Sequence, residues 1–414
     1  MQRPTTARQS SANPSPPQPA LAVGGRLLPI AVFGALFGWH AADPPGLVFD
    51  EVHYVPAARA LAHLAGDLNW EHPPLAKLIL GVGGRLLSEQ LHLVSEPTVY
   101  RLVASAFGLW ALFTVGGILR DLGFAGWESQ SAVWLTGVNV LWFVQSRTAM
   151  LDIFYVAFAL AGVRRVRRNC DGVGQWLGWV ALGFAMACKW SAAPFCVLAV
   201  VWARGPARRR AAGIGVAVGA YFLPFLPLAL LAGDATPPSQ ILAYQIRMLD
   251  GFRRVDLAGH PYASRFWQWP TLLRPTWYHY EPTAAGERCV WAGGNPLLHA
   301  CALPATAWLA WRALRRGAGQ AERAIALLYW APIAFWAAMP RMQLYYYYLP
   351  SSLWLGPTVV WALLAAIPRP RAARAAVMGL TAACAALFLW FLPILDGRLH
   401  AGSYARYMWL VRWR

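Results

Sequence analysis

The chain has 414 residues, of which 58% are hydrophobic and 13% are charged, and its formal net charge is +18. Apolar runs of about 20 residues, the length a helix needs to cross a bilayer, recur along most of the chain, and they exclude an ordinary soluble enzyme. The charge does not indicate a nucleic-acid partner, because the arginines form short clusters between apolar runs rather than a continuous basic face. The sequence therefore predicts an all-α polytopic membrane protein.

The chain is predicted to begin with a disordered cytoplasmic tail over residues 1–22, which is rich in Pro, Ser and Gln. A single transmembrane domain is expected over residues 23–414. About eleven apolar runs are predicted to span the membrane: 27–41, 98–119, 130–146, 151–163, 174–188, 190–203, 211–231, 294–311, 324–338, 345–366 and 375–395.

Arginine clusters, such as those at 164–168, 204–210 and 312–323, lie between alternate apolar runs. Because Lys and Arg are enriched in cytoplasmic loops, these clusters predict a cytoplasmic N-terminus. The outer face then receives two long loops, 42–97 and 232–293, which we interpret as a catalytic loop and a cap that folds back onto the membrane face. The predicted location is the inner membrane, with the catalytic loops on its periplasmic or extracellular side.

The first outer loop contains an acidic, histidine-containing stretch between two apolar runs, and ionisable residues held near a bilayer are functional candidates. We predict Asp50 and Glu51 as its catalytic carboxylates. An alternative for Asp50 is a helix cap, but capping needs only one of the two. Segments 56–65 and 75–87 are predicted to be interfacial helices. The predicted substrate-binding residues of this loop are His53, His72, Pro73 and Lys77.

Several cations on the predicted outer face are candidates for contact with a phosphate group. These are Arg101, Arg147, Lys189 and Arg274. Each has a simpler alternative: Arg147 would pair with Asp152 across a turn, Lys189 would extend its side chain to the membrane surface, and the other two would be ordinary interfacial residues. Together the carboxylates and cations predict transfer of a sugar from a lipid phosphate, which needs a base for the hydroxyl and cations for the departing phosphate.

Other interpretations remain open at this point. Asp50, Glu51, His53 and His72 would provide ligands for a divalent metal, although the chain has no HExxH or DxD string. The run of four tyrosines that contains Tyr347 is either interfacial packing or a sugar-binding surface. A transporter of lipid-linked sugars is the rival class, but transporters hold their charges near the membrane midplane, whereas here the charges gather at one face.

The strings FDEVHY, HPPLAK, SRTAMLD, CKW, HPYASRFWQWP with LLRPTWYHY, GNP and YYYYLP occur in an order that resembles the protein O-mannosyltransferases, which are GT-C glycosyltransferases. The loop 232–293 is too short for the β-trefoil domain of eukaryotic members, so the resemblance is to a compact bacterial form. Tyr347 stands where the family often has His. The residues that match the family's site are Asp50, Glu51, His72, Pro73, Pro74, Arg101, Arg147, Leu151, Asp152, Lys189 and Trp190.

The resemblance implies an inverting transfer of mannose from a polyprenyl phosphate to a Ser or Thr hydroxyl of a protein. Asp50 would be the general base or would orient the acceptor, and the basic residues would contact the lipid phosphate. No cofactor is implied. The implied partners are the lipid-linked sugar, a protein acceptor and membrane lipids, with a lipid A, glycolipid or glycan acceptor as the alternative.

Overall fold

The computed structural model describes residues 23–168, 172–231, 237–254 and 260–414, so the predicted tail over 1–22 lies outside the described residues. Helices dominate the described part of the chain. They are α1 Val23–Gly38, α2 Glu51–Ala62, α3 Leu75–Gly84, α4 Thr98–Asp121, α5 Gly126–Gly137, α6 Val140–Ser146, α7 Leu151–Arg167, α8 Val173–Cys188, α9 Ala193–Trp202, α10 Ala207–Phe222, α11 Leu226–Leu231, α12 Pro237–Arg254, α13 Pro296–Leu314, α14 Gln320–Ala337, α15 Leu349–Ser352, α16 Leu355–Ala366 and α17 Pro370–Phe391.

Within the described residues, three helices are long and apolar enough to cross a membrane: Thr98–Asp121, Ala207–Ala229 and Pro370–Ile394. A fourth crossing results if Tyr345–Ser352 and Leu355–Ala366, which meet at a bend of 47°, are taken as one span. Other apolar helices, including α8, are shorter. The chain is therefore an integral membrane protein with a helical core, and continuous helices of full length account for only some of the eleven predicted spans.

The predicted span 130–146 is divided into α5 and α6 at Asn139. The Asn139 side chain accepts a hydrogen bond from the Leu141 amide at 3.2 Å, and its amide group donates to the Ser352 carbonyl at 3.0 Å. Asn is a favoured N-cap because its side chain satisfies a free amide at a helix start. A hydropathy profile alone does not reveal this break between the two helices. The break fixes where α6 begins and, with it, the position of the turn that follows α6.

The two predicted interfacial helices of the first loop are present as α2 and α3, and α3 continues as a π-helix over Arg85–Gln90. They pack backbone to backbone at Gly81, where an added Cβ would lie 2.0 Å from the Ala58 carbonyl oxygen. A side chain at Gly81 would push the helices apart. This close contact fixes α2, the helix that follows Asp50, against α3.

The cap contains strands that the all-α prediction did not include. Two of them form a hairpin in which Trp277 pairs with Trp291, and a short strand near the end of the chain extends the sheet at Arg288. The extension joins segments more than a hundred residues apart in sequence, so local periodicity does not reveal it. The strands are β1 Ala263–Ser264, β2 Thr276–Thr283, β3 Gly286–Ala292, β4 Gln343–Leu344 and β5 Leu399–His400; β1 pairs with β4, and β3 lies between β2 and β5.

Candidate active site

A cavity of about 390 Å³ lies where the first loop, the start of α9, the end of α12 and the segment before α15 meet. Loops and helix ends form it, and the helical core holds them in place. Its lining mixes aromatic rings with ionisable groups, as expected of a site for a polar ligand. Six of the predicted site residues reach it: Asp50, His53, His72, Pro73, Lys189 and Tyr347.

The Asp50 carboxylate lines the cavity and does not cap a helix. It stands at the N-cap position of α2, yet its side chain makes no capping hydrogen bond, so the capping alternative is wrong. Its Oδ2 accepts hydrogen bonds from the hydroxyls of Tyr54 at 3.3 Å and Tyr346 at 3.2 Å. Burial raises the pKa of the Asp50 carboxyl above its ordinary value, while Lys189 opposes the rise and Asp152 adds to it.

Glu51 points away from the cavity and is fully buried. Its carboxylate accepts hydrogen bonds from the backbone amides of Val48 at 2.9 Å and Ala149 at 2.8 Å, and it pairs with Arg101 at 2.9 Å. The two adjacent carboxylates are therefore divided, because Asp50 lines the cavity and Glu51 pairs with Arg101 behind it. Of the two predicted catalytic carboxylates, only Asp50 therefore lines the cavity.

Arg101 is committed to protein groups, contrary to its predicted contact with phosphate. Besides both oxygens of Glu51, its guanidinium donates to the backbone carbonyls of Pro44 at 2.8 Å and Gly46 at 2.7 Å. These bonds run from the first turn of α4 to the segment that leads into α2. Arg101 therefore fixes the loop that presents Asp50.

Lys189 forms a buried ion pair with Asp152, with 2.7 Å between Nζ and Oδ2. Its ammonium also lies 5.3 Å from the ring centroids of both Tyr346 and Tyr347, so it does not extend to the membrane surface. Since Asp152 pairs with Lys189, the alternative pair with Arg147 is wrong. Asp152 itself is outside the cavity lining, but it pairs with Lys189 and its charge adds to the raised pKa of Asp50.

Three other predicted cations lie outside the cavity lining. Arg147 is buried behind the site near Asp396 and donates to a backbone carbonyl at the end of α1 at 2.7 Å. Lys77 is buried against Asp67 at 2.5 Å, and burial lowers the pKa of Lys77 to about 8. Arg274 is exposed and donates to a backbone carbonyl of the cap at 3.0 Å. Arg147 and Lys77 therefore lie buried around the site, whereas Arg274 lies on the surface.

Arg341 is the cation that the sequence interpretation missed. It lines the cavity with its guanidinium 4.7 Å from the ring centroid of Phe252, and its buried Nε has no hydrogen-bond partner. Within the described ranges, no carboxylate pairs with it. The available signal was its position in the outer segment PRMQLYYYYLP. Burial and then the charges of Lys189, Lys77 and Arg341 hold the pKa of the nearby His72 well below its usual range.

The other residues that line the cavity differ in whether the sequence contained a signal for their place in the site. Tyr54 follows Asp50 by four residues, a spacing that places both on one helix face, so the motif contained the signal. Tyr346 lies within the noted tyrosine run, but only the fold brings its hydroxyl to Asp50. His260 begins the string HPYASRFWQWP of the family resemblance, whereas Trp336 comes from a distant segment and had no local signal.

An apolar groove of about 510 Å³ lies beside the cavity between α8, α9 and α10. It opens sideways at Val197 and Val218, which are 62% and 50% exposed. Trp190, which lines the cavity, donates its indole hydrogen to the hydroxyl of Tyr221 in the groove at 3.0 Å, and Tyr221 donates to Gln245 at 2.5 Å. A ligand with a polar head and an apolar tail matches this adjoining pair of surfaces.

The metal interpretation required the carboxylates and histidines of the first loop to converge. Asp50, His53 and His72 all line the cavity, but Glu51 turns towards Arg101. Across the part of the chain that the structure describes, no three His, Cys, Asp or Glu side chains form a group able to hold a metal ion. Activity without a cofactor stays a prediction.

No family model matches the chain. The polyprenol-phosphate-mannose–protein mannosyltransferase of Mycolicibacterium smegmatis is 26% identical to it, over 89% of this chain and 87% of that protein. The Saccharomyces cerevisiae protein O-mannosyltransferase Pmt1–Pmt2 complex bound to the sugar donor matches with a TM-score of 0.74 at 13% identity, over 94% of this chain and 93% of the other.

ArnT of Cupriavidus metallidurans bound to undecaprenyl phosphate matches with a TM-score of 0.57 at 19% identity, over 88% of this chain and 64% of the other. At these identities the two solved structures show a shared fold. The sequence relative and the shared fold together confirm the predicted resemblance to the protein O-mannosyltransferases and the predicted glycosyltransferase class.

Proposed function

We propose that this chain, a relative of the protein O-mannosyltransferases, moves mannose from a polyprenyl phosphate to a Ser or Thr hydroxyl of a protein. The observation that carries the proposal is Asp50, a carboxylate of raised pKa on the wall of a cavity that also holds the unpaired Arg341. The name of the mycobacterial relative supports mannose, polyprenol phosphate and a protein acceptor as the substrates.

In this reaction Asp50 takes the proton of the acceptor hydroxyl as its oxygen attacks the anomeric carbon of the sugar. The bond between that carbon and the phosphate oxygen breaks, and its electron pair leaves with the polyprenyl phosphate. Attack from the face opposite the phosphate inverts the anomeric centre in one step. The hydroxyls of Tyr54 and Tyr346 hold the Asp50 carboxylate in position for this proton transfer.

Arg341 is the proposed partner of the departing phosphate. The charge of Lys189 is balanced by Asp152, whereas Arg341 has a buried nitrogen without a partner in the cavity. A cation placed where negative charge develops stabilises the transition state. The groove between α8, α9 and α10 would receive the first part of the polyprenyl chain, because its lining is apolar and it opens sideways.

Replacing Arg341 by Gln is expected to lower kcat/KM for the lipid donor about 10- to 100-fold, the range for loss of one charge-assisted hydrogen bond. Arg341→Lys keeps the charge and should recover part of the loss. Arg274→Gln is the matched control, because this arginine is on the same face but outside the cavity. Steady-state kinetics with varied donor measure the effect, and equal losses in the Arg341 and Arg274 variants would remove Arg341 from the phosphate site.

Replacing Tyr346 by Phe is expected to shift the acid limb of the pH profile of kcat/KM to higher pH. The Tyr346 hydroxyl donates to Asp50 and so lowers the pKa of that carboxyl. Without the hydrogen bond the pKa rises further, and a general base is lost as the pH falls through its pKa. A limb that stays in place, or moves to lower pH, would contradict Asp50 as the titrating base.

We propose that the cavity lies on the outer face of the inner membrane and that the shorter apolar helices also cross the bilayer. The arginine clusters on the opposite side of the predicted spans support this orientation. A cysteine introduced at the exposed Glu281 should react with a membrane-impermeant maleimide in spheroplasts, and one at Arg208 should react only after lysis. The reverse pattern would invert the topology.

The proposed function is tested with purified protein in detergent, polyprenyl-phosphate-[³H]mannose and a Ser/Thr-rich peptide. Label should pass to the peptide, also in the presence of EDTA if no metal is required. Transfer only to a lipid or glycan acceptor would replace the protein acceptor with the alternative acceptor class. An intact donor with every acceptor would instead support a transporter.

A further inference from the structure

The segment after α17 lies at the membrane interface. Pro370–Ile394 is long and apolar enough to cross the membrane, and the end of the chain folds back on its last turn. The ring centroid of Trp409 is 5.3 Å from that of Phe391, and the Arg406 guanidinium lies 5.6 Å from the ring of Trp390. Trp is typical of the interfacial zone of membrane proteins. The aromatic and basic contacts of the segment from residue 404 to 414 are therefore typical of a segment at the level of the lipid headgroups.

This segment is firmly built into the protein. The indole of Trp413 donates to the Leu272 carbonyl at 2.7 Å, and the indole of Trp277 donates to the Trp413 carbonyl at 2.8 Å. Trp413 also packs on Trp291 of β3, with ring centroids 5.2 Å apart. Because Leu272, Trp277 and Trp291 belong to the cap, the segment lies on the same membrane face as the cavity.

A pocket of about 290 Å³ separates this segment from the first turns of α13. Leu303 at its edge is 45% exposed, so the pocket opens sideways into the bilayer. The ring nitrogens of His299 are engaged by the Pro270 carbonyl at 3.0 Å and the Tyr345 hydroxyl at 3.3 Å, which leaves an almost wholly apolar lining. The residues that line the pocket include Leu272, His299, Leu303, Trp409, Leu410 and Trp413.

The rim of this pocket carries both arginines and exposed apolar side chains. Trp409, Leu410 and Val411 are 52%, 42% and 81% exposed, and Arg412 and Arg414 alternate with them. From residue 397 to 414 the sequence has no Asp or Glu. Exposed apolar side chains among arginines are typical of a surface that inserts into an anionic lipid interface.

We infer that the pocket between α13 and the 404–414 segment binds an anionic phospholipid, with an acyl chain in the pocket and the phosphate against Arg412 and Arg414. Arginine recognises phosphate oxygens with paired hydrogen bonds, and within the described ranges neither of these two arginines forms an ion pair with a carboxylate. The groove proposed for the donor lies between α8, α9 and α10, so the two lipid sites use different helices. The inference does not depend on the proposed function.

Photo-crosslinking of the purified full-length protein tests this inference. The probe is phosphatidylglycerol with a photoreactive acyl chain, beside the matching phosphatidylcholine, and labelled peptides are mapped by mass spectrometry. We expect phosphatidylglycerol to label residues 296–303 and 404–414, and to do so about tenfold less in Arg412→Gln/Arg414→Gln. The double variant should keep its thermal stability in lipid-free detergent, because both arginines are exposed.

Arg265→Gln/Arg274→Gln is the control, since it removes the same charge from the same face of the cap and should leave labelling unchanged. Val411→Asp keeps the arginines but removes an exposed apolar contact, and it should also weaken labelling. Equal labelling by the two lipids, labelling confined to other segments, or full labelling of the Arg412/Arg414 double variant would each overturn the inference.

Discussion

Replacement of Asp50 by Asn is expected to abolish sugar transfer, with a loss of about 10²- to 10⁴-fold, the usual contribution of a general base. Asn keeps the shape of the side chain and an oxygen that can accept from Tyr54 or Tyr346, but it cannot take a proton from the acceptor. Transfer of labelled mannose to peptide measures the loss, and the thermal stability of the variant shows whether it remains folded.

Asp250→Asn is the matched control for this change. Asp250 is exposed on α12, one residue before the cavity-lining Gly251, and it is outside the lining. The same chemical substitution there should leave transfer near the wild-type rate. Full activity of Asp50→Asn would remove Asp50 from the mechanism, whereas an inactive but folded Asp50→Asn beside an active Asp250→Asn would identify Asp50 as the base.

Replacement of Glu51 by Gln is expected to lower the stability of the folded protein as well as its activity. Glu51 and Arg101 form a buried ion pair, and removal of one partner leaves the other charge buried and uncompensated. Such a loss costs about 3–5 kcal/mol. Thermal unfolding in detergent, followed by the reaction of a thiol dye with buried cysteines such as Cys188 and Cys384, should show a clearly lower midpoint.

The double variant Glu51→Leu/Arg101→Met separates positioning from catalysis. Removal of both charges should recover much of the stability lost in Glu51→Gln, because neither charge is then left buried alone. Activity should stay low, since the loop that presents Asp50 loses its bonds to Arg101. A Glu51→Gln variant with wild-type stability and no activity would contradict the positioning role and return Glu51 to the chemistry.

The sequence by itself determined the class of protein and the region of the site. Apolar runs of membrane-spanning length are a local property, so they identify an integral membrane protein before any contact is known. The Asp50 to His72 stretch is likewise local, and the order of short motifs from this stretch to the tyrosine run was enough to indicate the mannosyltransferase resemblance. The interfacial helices α2 and α3 followed from periodicity because each packs through one face.

Only the tertiary structure decided which charged groups face the cavity. Asp50 and Glu51 are neighbours in sequence, yet long-range partners direct them apart: Tyr346 approaches one and Arg101 the other. The same contacts commit Arg101 to the protein and leave Arg341 in the cavity. A buried charge must find its partner wherever the fold provides one, and those partners lie tens to hundreds of residues away. Local sequence therefore identifies the ionisable groups, while packing assigns their roles.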